Sequence, residues 1–534
     1  MGQFLNNKEP YDKYKTVMKG MYYVDKSEIL EELIPALQQE LRFFCITRPR
    51  RFGKTVMANM IAAFFEKTEE ESLFEGLRIS HYDGYKEHVG QHDVIYIDFS
   101  EMSKDCTSYK QYIDRVQDGI TEDIQETYPE LKIDKTMAVW DILSLVFNKT
   151  GHKFVFVIDE WDAVFHMSFI TEQDKRNYLL FLKLFLKGKS YVELAYMTGV
   201  LPIAKYSDGS ELNMFMEYNM ATKIRFSEYF GFSDKEVDIL YRRYLENTKN
   251  PQITRDSLRE WYDGYHTASG ERLYHPRSVV CALSDNQLAN YWMSSGKYDS
   301  IFHYMKYNVD QIQNDLTLMF AGERIPSGIQ EYAATAQELK TKEEIYSAMV
   351  VYGLLTYENG TVFIPNKELM ESYAAMMKKE ESLGYVYRLA NVSYQMLQAT
   401  LAGDTETMTN IIQYAHNTEV PILSYNNETE LSAIVNLVYL AARDQYRVER
   451  EDKAGKGYVD FIFYPVKSDQ DCIILELKVG HSPEEAIAQI KEKDYALRFR
   501  GKIAEKGKYT GRVLAVGISY DKETKEHACK VEEL

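Results

Sequence analysis

Gly53-Lys54-Thr55 is the first place in this chain where residue types and spacing could do chemistry. The apolar run Phe43-Phe44-Cys45-Ile46-Thr47 reads as a buried strand, Arg48 to Gly53 as a tight basic loop, and Lys54 onward as a helix with apolar spacing. Strand, loop and helix in that order make a phosphate-binding arrangement. Amides of the bent loop and the helix N-terminus cradle phosphate oxygens, Lys54 neutralises charge on the β- and γ-phosphates, and the Thr55 hydroxyl can ligate Mg²⁺. The expected nucleotide contacts are therefore Arg48, Pro49, Arg50, Arg51, Phe52, Gly53, Lys54 and Thr55, with Arg48 standing where the usual pattern has its first glycine. The partner stretch is Lys153-Phe-Val-Phe-Val-Ile-Asp-Glu-Trp-Asp162, whose apolar residues Phe154 to Ile158 describe a strand buried on both faces. Asp159 and Glu160 fall at its C-terminal end, where open α/β sheets bind ligands. Asp159 is placed to hold a hydrated Mg²⁺, and Glu160 to orient a water at the γ-phosphate.

A second constellation lies near the C-terminus. Two strands are expected, Tyr458-Val-Asp-Phe-Ile-Phe463 and Cys472-Ile-Ile-Leu-Glu-Leu-Lys-Val479, with Asp460 in the first. Side chains alternate along a strand, so Glu476 and Lys478 share a face while Leu475, Leu477 and Val479 turn toward a core. An Asp on one strand with a Glu and a Lys on the next resembles the site of PD-(D/E)XK nucleases. That resemblance implies that Asp460 and Glu476 hold Mg²⁺ and that Lys478 orients the attacking water or steadies the charge on the phosphate. Carboxylate ligands suit a hard cation better than zinc. Glu430 matches the further acid that many such nucleases carry on the preceding helix, with Glu428 a rival. The window Lys491 to Arg512 holds Lys491, Lys493, Arg498, Arg500, Lys502, Lys506, Lys508 and Arg512 against three acids, which suits a phosphate-contacting surface or a solvated helix face.

The elements that must position these residues can be read in outline. Asp93 to Ser100 and Tyr191 to Val200 are further strands, so four strands separated by helices predict a doubly wound parallel sheet. Thr198 ends the last of them, either as a γ-phosphate sensor or as a plain strand-ending residue before Gly199. From Phe232 to Met377 the pattern is mainly helical, with a hairpin from Leu355 to Pro365 turning at Glu358-Asn-Gly360. The expected fold is α/β: a P-loop ATPase over residues 1–231, a helical, winged-helix-like lid over 232–377 and a C-terminal nuclease-like α/β domain over 385–534. The charged run Lys378 to Ser382 marks the last boundary.

The ordered stretches YVDK, TRPRRFGKT, VIDEWD, MTGVLPIAK, WYDGY (261–265) and IPNKE (364–368) make the chain similar to a bacterial family of AAA-ATPase-like proteins with a C-terminal PD-(D/E)XK nuclease-like domain. In that family TRPRRFGK(S/T) is the usual loop, so the resemblance makes Arg48 a family trait. Gly457 before the Asp strand, and Gln489 and Tyr495 on the next helix, also follow its pattern. The resemblance implies ATP and Mg²⁺ as cofactors and nucleic acid as partner, DNA favoured over RNA. Genome defence or mobile-element biology would suit the pairing. The rival expectation is an ATP-controlled switch or scaffold whose nuclease fold binds without cutting.

Bulk properties exclude some classes. A net charge of −18 argues against a general nucleic-acid coat but not against a local basic groove. Five cysteines, far apart, give no disulfide framework or zinc knuckle. The N-terminus lacks a signal pattern and no apolar run is long enough to span a membrane, so a cytoplasmic protein without membrane partners is expected. Homo-oligomerisation stays open. The eleven histidines read as surface or core residues.

Overall fold

The computed structural model describes residues 2–534 apart from 69, 71, 135, 204–210, 293–308, 330–340, 380, 420–427, 455–456, 468 and 496–508. The chain divides into two compact units, Met1–Gly296 with Pro326–Glu368, and Lys297–Ile325 with Leu369–Leu534.

In the first unit the expected strands form: β1 (Phe43–Thr47), β2 (Asp93–Asp98), β3 (Phe154–Asp159) and β4 (Val192–Gly199), joined by a short β5 (Met216–Tyr218). They make one parallel sheet in the order β2-β3-β4-β1-β5. Alternation explains why near-continuous apolar runs are needed. Phe43, Cys45, Ile95, Ile97, Phe156, Ile158 and Met197 enter the core on one face. Their neighbours Phe44, Ile46, Val94, Tyr96, Val155, Val157 and Tyr196 enter a separate core on the other. Helices Tyr109–Thr127, Val139–Thr150 and Glu172–Leu186 supply the first core, and Lys8–Met18 and Lys54–Phe65 the second. A sheet covered on both faces leaves only its strand ends for chemistry, and β1 and β3 carry theirs at the same C-terminal edge.

The helical part of this unit follows its capping signals. Ser233 with Glu236, and Thr254 with Ser257, form capping boxes at the starts of Asp234–Asn247 and Arg255–Tyr262. Those helices pack with Pro276–Asp285 through Val237, Leu240, Tyr244, Leu258, Tyr262 and Val279. The expected hairpin is present as Thr356–Glu358 paired antiparallel with Thr361–Phe363. Its turn residues Asn359 (φ 48°) and Gly360 (φ 80°) take the two positive φ values that a tight two-residue turn demands.

The second unit carries a mixed five-stranded sheet of Tyr446–Ala454, Gly457–Pro465, Cys472–Val479, Val513–Tyr520 and His527–Glu533, adjacent in that order. Only Cys472–Val479 and Val513–Tyr520 run parallel, and helix Pro483–Glu492 connects them across the sheet. Among the described residues no helix is long and apolar enough to cross a membrane.

Candidate functional sites

The phosphate loop runs from the end of β1 to the helix that begins at Lys54. Lys54 is only 3% exposed. Its ammonium donates to the carbonyls of Arg48 (3.2 Å) and Pro49 (3.1 Å) and stands 3.9 Å from Glu160 Oε1. Asp159, fully enclosed at the end of β3, has its carboxyl pushed up to about 7, first by burial and then by the charges of Glu160 and Asp98. Thr55 and Lys54 pull it the other way. Asp159 Oδ1 accepts from the Glu160 amide (3.0 Å), while Oδ2 is buried without a partner. A buried carboxylate oxygen lacking a donor, next to a threonine hydroxyl, fits a hard cation. Glu160 itself sits at φ 48°, an uncommon backbone state for a residue with a side chain. There it lines a cavity of about 940 Å³ together with Gly53, Lys54 and Thr55. Tyr22, Val24, Val280 and Leu283 form an apolar stretch of the wall, which suits a nucleotide base.

The loop residues divide by what they do. Arg51, Phe52, Gly53, Lys54 and Thr55 line the cavity, and Arg48, Pro49, Arg50, Asp159 and Thr198 do not. The Arg48 side chain is buried and donates to the carbonyls of Thr47, Tyr218 and Phe226, each at 2.8 Å. Its guanidinium also stacks 4.8 Å from the Phe230 ring centre, and burial lowers its pKa to about 9. The Arg48 side chain therefore ties β1 to β5 and to the chain beyond it. Thr198 is fully buried and its Oγ1 has no partner.

Two residues here escape a reading of the sequence. Arg277 lines the cavity from the first turn of Pro276–Asp285, opposite the loop in sequence but beside it in space. The Pro at the helix start marks that N-terminus, yet only tertiary packing brings it to the nucleotide side. Asp162, the last residue of VIDEWD, is buried and accepts from the amides of Val200 (3.1 Å) and Leu201 (2.8 Å), fixing the turn after β4. Asp162→Ala is expected to cost ~2–4 kcal/mol by leaving two buried amides unpaired, whereas Asp162→Asn, which keeps an acceptor, should cost less. Denaturant melts of the two variants check the ordering. His88 and His92, four apart, stack, hydrogen-bond to each other at 3.0 Å, and His92 continues to Glu193 at 2.9 Å. Their ring nitrogens face each other, so the pair links elements rather than presenting a metal site.

In the second unit the Asp460 and Glu476 strands pair antiparallel, with Phe461 opposite Leu475. Asp460 Oδ2 accepts from the Leu477 amide at 2.7 Å. Glu476 is 3% exposed. Its carboxyl is pushed up to about 7 by burial and then by the charge of Asp460, against the pull of Lys478. Lys478 Nζ donates to Glu476 Oε1 at 3.2 Å and remains partly exposed rather than buried in the core. Gln489 donates to the same oxygen and lies 3.3 Å from the Tyr495 hydroxyl. Glu476 Oε2 is buried with no partner. A buried acid raised by its neighbour and left with a bare oxygen again fits a divalent cation. Among the described residues no group of three or more His, Cys, Asp and Glu side chains is arranged to hold a metal. Asp460 and Glu476 are two carboxylates, the number Mg²⁺ commonly takes while keeping water and phosphate oxygens.

Burial raises Asp460 first, and of the rival acids Glu428 is the one whose charge adds to that, while Glu430 lies in the same first turn of Glu428–Val438. Arg450, unremarked in the sequence, opposes Glu428 at Asp460 and donates to Ser432 Oγ at 2.9 Å. The basic window is partly spoken for: Lys491 pairs with Glu532 and Arg512 with Asp471 at 2.6 Å. Arg498, Arg500, Lys502, Lys506 and Lys508 lie outside the described residues.

Comparison with known proteins gives a family match over each of these two regions. Residues 11–207 match the family described as "Predicted AAA-ATPase", and residues 426–527 match the PD-(D/E)XK nuclease superfamily. An uncharacterized protein encoded in the vnfD 5′ region of Azotobacter chroococcum mcd 1 is 25% identical over 282 residues, 52% of this chain and 51% of that protein. The match thus spans about half the length of this curated relative. Among solved structures, the Walker-type ATPase PABY2304 of Pyrococcus abyssi aligns over 65% of this chain and 93% of its own at 12% identity and TM-score 0.36. The ORC2 protein of Aeropyrum pernix, in ADPNP–ADP complexes, aligns over 70% and 96% at 11% identity and TM-score 0.32.

Proposed function

We propose that this chain, which joins an AAA-ATPase-like domain to a PD-(D/E)XK nuclease superfamily domain, binds and hydrolyses ATP at the first and cleaves nucleic-acid phosphodiesters at the second. The observation that carries the nuclease half is the bare Glu476 Oε2 beside Asp460 and Lys478. Mg²⁺ held by Asp460 and Glu476 would polarise the scissile phosphate and lower the pKa of a bound water. Lys478 then has to exchange its hydrogen bond with Glu476 for one to the water or a phosphate oxygen, which its partial exposure allows. Gln489 keeps Glu476 oriented while it does so. DNA is the favoured substrate over RNA.

At the ATP site Thr55 and Asp159 would hold Mg²⁺. Lys54 must leave the carbonyls of Arg48 and Pro49 to reach the β/γ-phosphates, and Glu160 orients the attacking water. The cavity wall formed by Pro276, Arg277, Val280 and Leu283 supports a lid role for the helical module after residue 232, with Arg277 as a cation on the phosphate side. All five cysteines are free thiols, which suits a cytoplasmic protein. Incubating the full chain with single-stranded DNA, duplex DNA and RNA, with Mg²⁺ or EDTA and with or without ATP, tests the reading. Mg²⁺-dependent products from DNA support it. Retention of DNA without products in any condition favours an ATP-controlled scaffold.

A further inference from the structure

The stretches WYDGY and IPNKE belong to neither site, yet they meet at the phosphate loop. Gly264 packs so closely on Pro365 that a Cβ there would lie 2.0 Å from its carbonyl oxygen. The adjacent Tyr265 donates to the Gly353 carbonyl (3.1 Å) and sets its ring edge-on to Phe52 of the loop, centroids 4.9 Å apart. Glu368, three residues past Pro365, is buried, and its Oε1 accepts three hydrogen bonds at 2.8 Å: from Ser278 Oγ and from the amides of Tyr291 and Trp292. The carbonyls of those same two residues accept from the Arg51 guanidinium, each at 2.6 Å. Ser278 also connects to the loop by a second route. Its amide donates to His275 Nδ1, and the other imidazole nitrogen donates to the Arg50 carbonyl at 3.3 Å. Burial, with Arg51, Arg277 and Lys54 nearby, lowers His275 to about 3, so the ring is neutral and its Nε2 carries the proton that this carbonyl needs.

Both routes hold a loop that its own residues do not favour. Arg51 has φ 66°, a left-handed state that is unfavourable for a residue with a side chain. A loop in that state directs its amides usefully only if something outside it maintains the bend. We infer that Glu368 and His275 are positioning residues for the nucleotide's phosphates: Glu368 fixes Tyr291-Trp292 as the seat for Arg51, and His275 fixes the Arg50 carbonyl. The inference rests on the ATP reading of the cavity. It makes the two motifs a brace for the phosphate loop, contacting no ligand themselves.

Binding of ATP·Mg²⁺ and of adenosine to the full chain, measured for the parent, Glu368→Ala, Glu368→Gln and Glu368→Asp, tests it. Glu368→Ala should weaken ATP about tenfold and leave adenosine unchanged, because only the phosphates meet the loop. Glu368→Gln retains the Oε1 acceptor and should bind nearly as the parent does. In an Arg51→Ala background Glu368→Ala should add well under its own roughly tenfold loss, since the seat then has no occupant and only the route through Ser278 and His275 remains. Glu368→Asp, which withdraws the acceptor by one methylene, should lose about threefold and serves where the alanine variant does not fold. Parent-like ATP affinity in the alanine or aspartate variant overturns the inference, as does a full additional loss in the Arg51→Ala background. Those outcomes leave the ATP reading standing, whereas a parent chain that fails to bind ATP overturns both.

Discussion

Lys478→Ala is expected to reduce Mg²⁺-dependent phosphodiester cleavage by about 10²–10³-fold, the usual effect of removing one group aimed at developing charge, while leaving metal affinity nearly intact. Lys478 touches Glu476 Oε1 at 3.2 Å, but its positive charge is not what a cation needs beside it. Removing it takes away a competitor for that oxygen, so Mg²⁺ should bind at least as well. Asp460→Ala and Glu476→Ala should do the reverse and lose the metal first, because each removes a buried carboxylate, held above its usual range by burial, that would ligate the ion. Titration of Mg²⁺ alongside a cleavage time course separates the two behaviours. Equal cleavage by the parent and Lys478→Ala would leave the scaffold reading in place.

The second large effect is at Lys54. Lys54→Ala should weaken ATP·Mg²⁺ by about 10²–10³-fold, since charge-assisted hydrogen bonds to phosphate contribute roughly 1.5–3 kcal/mol each and the ammonium makes more than one. Lys54 is buried against the loop carbonyls, so the variant should also melt a few degrees lower, and Lys54→Met, which keeps the stem, separates that loss from the loss of charge. Glu160→Gln should divide the roles differently, with ATP bound as in the parent and turnover lost. Equilibrium binding and phosphate release on the three variants give the comparison. A Lys54→Ala chain with parent affinity would show that the cavity is not a triphosphate site.

The parts of this protein that the sequence discloses are those set by local rules. Phe154 to Ile158 must be a strand with two covered faces, and Asn359-Gly360 must turn a hairpin, because backbone sterics and periodicity decide both. Asp460, Glu476 and Lys478 could be grouped in advance for the same reason: alternation on one strand and an acid on its neighbour. What stays hidden depends on partners far along the chain. Arg48 satisfies the carbonyls of Tyr218 and Phe226, so a residue that looks like a phosphate ligand serves as a cross-link. Glu368 and Asp162 are buried acids that accept from backbone amides far along the chain, and no local pattern announces such pairings. Glu428 and Glu430 differ only by helix phase and by where the helix begins, which spacing alone leaves undecided. Likewise the described helix Val309–Phe320 belongs to the nuclease-containing unit although it lies inside the expected lid segment.

Anomalous diffraction from crystals of the full chain grown with Mn²⁺ in place of Mg²⁺ tests most directly whether the second unit holds a nuclease metal centre. The expected result is a peak bonded to Asp460 and Glu476 Oε2, with the Lys478 ammonium turned away from Glu476. A Mn²⁺ peak elsewhere, or none between these carboxylates at saturating ion, would contradict it.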